Sequence, residues 1–194
     1  MSTDAPKPPK SKLGLLLLAA ILAVAAVLLI TFRPVTDAET VVADDGKPVV
    51  YEPVVYDTST WQSVPMRVSS IDELSGELGS TATEEDALDF YGNQATRYRY
   101  SAKQGVPFYS IDSAAAFEVV WYYPAPTDDD ATKNQAVEYA KRVYRMMGRL
   151  GGETGTAVVA QMLRGDAIAP KSVGALKLVQ GRCEHYQCRV VFDK

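Results

Sequence analysis

Leu13 to Phe32, LGLLLLAAILAVAAVLLITF, contains no charged residue and constrains everything that follows it. Twenty residues at about 1.5 Å of rise reach about 30 Å, the depth of a bilayer's hydrocarbon core, and a helix satisfies its own backbone there. We therefore expect a transmembrane helix over 13–32. Lys7, Lys10 and Lys12 precede it against a single Asp4, whereas Asp37, Glu39, Asp44 and Asp45 follow Arg33. Positive flanks stay cytoplasmic. This makes 1–12 a cytoplasmic tail and places the rest of the chain across the membrane. A cleavable signal is disfavoured, because its apolar region is shorter and cutting after Ala25 leaves AVLLITF at the new terminus. Ala19, Ala23 and Ala26, spaced by four and three, form a candidate packing seam for a partner span.

The 161 residues from Pro34 to Lys194 are enough for one domain with a core of its own. Their charge is uneven: 13 acidic residues stand against Lys47 and Arg67 up to Phe90, while 14 basic residues outnumber 10 acidic ones from Tyr91 onward. Such a split holds the two parts of a chain together or steers a partner. An exported domain that is acidic as a whole leaves no role for nucleic acid. Asn93 and Asn134 are both followed by Gln-Ala and make no glycosylation sequon, which is consistent with a bacterial inner membrane and periplasm.

Residues 33–60 form a connector whose PVVYE and PVVYD units, Pro48 to Asp57, repeat a Pro that forces its predecessor into extended backbone. A stiff spacer is expected there, followed by the folded domain over 61–194. Ser70 with Glu73, and Thr83 with Asp86, each read as the capping box of a short helix, ended by Gly79 and Gly92. Thr96 to Tyr100 alternates as a strand, with Tyr98 and Tyr100 on one face and Arg97 and Arg99 on the other. Phe117 to Tyr123 is the strongest strand pattern. A long helix opens at Asp128, Asp129 and Asp130 and closes at Gly151-Gly152, with an apolar stripe of Ala136, Val137, Ala140, Val143, Tyr144, Met147 and Leu150. The aspartates complement the helix dipole, as Lys141, Arg142, Arg145 and Arg149 do toward the other end, and no EF-hand glycine and glutamate follow them. Ala157 to Leu163, Val173 to Gln180 and Tyr186 to Phe192 read as strands. The expected fold is α+β, one long helix laid over a mostly antiparallel sheet.

Cys183 and Cys188 are the only cysteines, and an oxidising compartment makes them a disulfide across a hairpin end. His185 between them offers a third metal ligand, but the chain has no second histidine, and the spacing is not the Cys-x-x-Cys redox pattern. A single histidine also excludes a two-histidine zinc protease. No Gly-x-Ser-x-Gly elbow, Ser-x-x-Lys dyad or phosphate-cradling glycine loop is present. We expect no catalytic residue, metal or cofactor. The leading expectation is a non-catalytic scaffold subunit of an envelope-spanning assembly, with other envelope proteins as partners. Arg97, Tyr98, Arg99, Tyr100, Lys141, Arg142, Arg145 and Arg149 are its candidate interaction surface. Those residues equally suit a binding module for cell-wall polymer or anionic lipid. A hydrolase using paired carboxylates is the third reading.

Overall fold

The computed structural model describes residues 52–62 and 71–194. The apolar stretch 13–32, its alanine seam of Ala19, Ala23 and Ala26, and the first part of the connector lie outside them. Among the described residues no helix is long and apolar enough to cross a membrane.

Helix α1 (Ile71–Leu78) ends at Gly79, whose φ of 115° is a conformation that glycine adopts without strain. Four strands follow as a meander: β1 (Thr83–Leu88), β2 (Gln94–Arg99), β3 (Phe108–Asp112) and β4 (Ala116–Tyr122). Helix α2 (Asp130–Leu163) then crosses one face of the sheet to its far edge. There β5 (Lys171–Val173), β6 (Leu176–Glu184) and β7 (Gln187–Asp193) meander back until β7 pairs with β4. All six pairings in the order β1-β2-β3-β4-β7-β6-β5 are antiparallel. This is the two-layer α+β arrangement expected from the sequence.

The core lies between α2 and the sheet. Phe108, Phe117, Val119, Trp121, Val190, Phe192 and Leu178 face Ala140, Val143, Met146, Met147 and Leu150, all buried. Leu74 and Leu78 of α1 close one side of it. Asp129 caps α2 by accepting from the Thr132 amide at 2.7 Å, while Asp128 accepts from the Ala125 amide and the Tyr122 hydroxyl, both at 2.8 Å.

Three elements differ from their sequence patterns. Thr83 to Asp86 does not open a helix: the backbone of Thr83–Leu88 is paired along its length with β2 instead. Its side chains are nearly all exposed, so no apolar face favoured either structure and the ladder decided. Ala157 to Leu163 is not a strand but the last turns of α2. Gly155, Val158, Val159 and Met162 are buried at helical spacing. The Gly151-Gly152 stop is a kink, with Gly152 at φ 56° and ψ −134°, after which the helix resumes.

The part of the connector within the described residues packs on the domain rather than standing clear of it. Tyr56 stacks on Tyr123 with ring centroids 5.8 Å apart, and Trp61 meets Tyr144 edge-on at 5.2 Å. Lys133 Nζ donates to the Glu52 carbonyl at 3.2 Å.

Candidate interaction surface

The alternation expected over Thr96 to Tyr100 places the four candidate residues of β2 and its end on two different faces. Tyr98 and Tyr100 lie on the helix side, where they line a cavity of about 390 Å³ with Ser110, Asp112 and Phe117. The Tyr100 and Ser110 hydroxyls share a hydrogen bond of 2.7 Å. Arg97 lies on the opposite face, over the Tyr109 ring at 5.0 Å and 3.7 Å from Glu85. Arg99 donates to Ser101 Oγ and to the Gly105 carbonyl. Lys141, Arg142 and Arg149 of α2 are engaged within the domain. Arg142 donates to the Leu78 carbonyl at 3.2 Å and Arg149 pairs with Glu77 at 2.6 Å, both fastening α1 to α2. Lys141 pairs with Glu138, and Arg145 borders a cleft beside Trp61 and Tyr144. The eight residues therefore do not form one continuous patch.

The sheet face away from α2 carries groups that sequence inspection missed. Along the row that crosses β4 and β7, Glu118 is fully buried, with Arg189 Nε 3.6 Å away. Burial pushes the Glu118 carboxyl above its ordinary pKa, more strongly than the Arg189 charge and the Phe90 amide pull it down. The β1–β2 turn is pinned beside this pair. Asp89 accepts from the Tyr91 amide at 2.9 Å, the Asn93 amide at 2.8 Å and Ser113 Oγ at 2.7 Å. Desolvation acts against the Asp89 carboxylate, but these bonds outweigh it and hold its pKa below the usual range. Tyr91 donates to Asp193, which Lys177 also reaches at 2.8 Å. The turn thus presents Leu88, Phe90 and Tyr91 to solvent. A glutamate in the middle of FEVVWY was the one available signal of a buried charge on this face.

Strand β1 pairs, among the described residues, with β2 alone. The bond from the Asp89 amide to the Asn93 carbonyl sets the alternation of the ladder. It turns the amides of Thr83, Glu85 and Ala87 toward β2. Those of Glu84, Asp86 and Leu88 face outward, so the edge offers donors and acceptors in extended order.

The Cys183–Cys188 disulfide forms as expected, between directly opposed residues of β6 and β7. The two-residue turn beyond it has φ of 50° at His185 and 61° at Tyr186. A turn that needs φ > 0 twice favours Asn-Gly, so the present pair carries strain. The double replacement His185→Asn with Tyr186→Gly is expected to stabilise the domain by about 1 kcal/mol, read as a higher urea midpoint. An unchanged or lower midpoint would count against that strain.

Among the described residues no group of three His, Cys, Asp or Glu stands ready to hold a metal ion. No protein-family model, curated protein or solved structure matches the chain.

Proposed function

We propose that this is a single-pass inner-membrane protein whose periplasmic domain is a non-catalytic, protein-binding subunit of an envelope-spanning assembly. The observation that carries this reading is strand β1: six residues, all but Ala87 exposed, an outward row of amides with no strand partner among the described residues, and Leu88, Phe90 and Tyr91 at its end. A partner strand adds to such an edge through main-chain hydrogen bonds, and side chains on alternate residues select it. Glu84, Glu85 and Asp86 guard the edge against a second copy of itself and favour a partner strand rich in lysine or arginine. The apolar stretch 13–32 and its flanking charges support the anchor and the orientation.

Asp86→Pro tests the edge directly. Proline there removes an outward amide and leaves the ladder to β2 unbroken, so the urea midpoint is expected to hold while binding of the co-purified partner weakens at least about tenfold. Recovery of the natural chain from mild detergent as a lone monomer, or full retention of the partner by Asp86→Pro, would overturn the reading. A reporter fused after Lys194 that is active only in the cytoplasm would remove the topology.

A further inference from the structure

Strands β6 and β7 set Arg182 directly opposite Arg189. Like charges facing each other across an antiparallel pair repel, so this pairing weakens the hairpin unless something sits between them. The neighbouring acids give partial relief. Arg182 lies 2.8 Å from Glu184 on the surface, and Arg189 lies 3.6 Å from the buried Glu118, beyond hydrogen-bond length. Both arginines border a cavity of about 250 Å³ that is lined also by Gln180, Gln187, Phe90, Glu184 and His185.

We propose that this cavity is a carboxylate-binding site, in which Arg182 and Arg189 take the carboxylate of a peptide ligand and Phe90 receives the apolar side chain beside it. A planar carboxylate fits guanidinium donors, and the Gln180 and Gln187 amides add neutral ones. Glu184, at the cavity wall, and Glu118 already compensate part of the charge of Arg182 and Arg189, so a singly charged carboxylate suits the site better than a phosphate dianion. Phe90 stands 38% exposed at the cavity wall, with nothing among the described residues covering that ring fully. The carboxylate belongs to a chain terminus or to an Asp or Glu side chain. This site shares Phe90 with the end of β1 but uses none of the edge amides, so Asp86→Pro leaves it intact.

The test is a titration of the full-length chain in detergent, following the arginine Nε–Hε NMR signals. The probes are N-acetyl-leucyl-leucine as the free acid, the same dipeptide as its amide, and N-acetyl-glutamyl amide. The free acid is expected to shift the Arg182 and Arg189 signals together and its amide to shift neither. Arg182→Gln weakens binding at least about tenfold, since a charge-assisted bond is lost, and Phe90→Ala weakens the leucine probe by about threefold. Binding of the glutamyl probe as well supports a side-chain source, and binding of the free acid alone supports a terminus. Equal binding of acid and amide, no binding of either acid, or undiminished binding by Arg182→Gln overturns the proposal.

Discussion

Gly155→Val is expected to destabilise the domain by about 4 kcal/mol, the largest effect of any single glycine replacement outside the turns. Its cause is the way α2 is broken and resumed. At Gly152 the backbone takes φ 56° and ψ −134°, and the helix beyond it folds back closely. A Cβ at 155 would overlap the Met147 carbonyl group, which is backbone and cannot turn aside as a flexible side chain does. Gly174, in the β5–β6 turn with φ 58°, lies against the Leu150 carbonyl in the same manner. These two approaches seat the end of α2 and the far edge of the sheet in one packed unit. Gly152→Ala separates steric from conformational cost. Nothing lies within 4 Å of the Cβ it adds, so only the strained backbone acts, at about 1 to 3 kcal/mol. Urea midpoints followed by tryptophan fluorescence compare the two. If Gly155→Val unfolds at the same midpoint as Gly152→Ala, close packing at 155 is not what holds the kink.

The kink also explains why Ala157 to Leu163, the first of the three strands expected after the long helix, is helical. Val158-Val159 looks like a β-branched run when read two residues at a time, but with Gly155 and Met162 it falls on one helical face. Two glycines at 151–152 hid the continuity. Phe117 to Tyr123 was legible because Phe117, Val119 and Trp121 alternate into the core, as was the acidic start of α2 at Asp128 to Asp130, whose chemistry is local. Thr83 to Leu88 was not legible, since TEEDAL satisfies a capping box and its strand state comes wholly from pairing with β2. The candidate surface was harder still. Alternation already put Arg97 and Tyr98 on opposite sides of the sheet, but Arg182 and Arg189 meet only through the β6–β7 register. Charge counts along the chain cannot reveal which basic residues the fold spends on its own carbonyls and acids. Arg142 and Arg149 are two of these.

Arg189→Met should cost roughly 2 to 3 kcal/mol near neutral pH, and most of that loss should vanish in mild acid. Removing one partner of a fully buried pair costs about 3 to 5 kcal/mol, and the side chain of Arg189 is one-third exposed, which lowers the figure. In the natural chain burial already raises the Glu118 pKa, and the Arg189 charge is what opposes it. A group whose folded pKa is raised stabilises the fold below its unfolded value and loses that contribution as pH rises through the folded one. Without Arg189 the folded pKa of Glu118 moves higher, so the charged carboxylate becomes more costly to bury at neutral pH. Protonation in acid makes it neutral in both proteins and closes the gap. Asp89 and Asp193 have the opposite linkage, with folded pKa values lowered, so both proteins lose their contribution alike as pH falls. The difference in urea midpoint between the two chains therefore isolates Glu118. Adding Glu118→Gln to Arg189→Met is expected to restore most of the neutral-pH loss, because the buried charge is gone. A penalty that stays constant from about pH 7.5 to about pH 5, or that Glu118→Gln leaves untouched, would mean that Arg189 acts through packing alone and that the pair under the open face of the sheet is not electrostatically coupled.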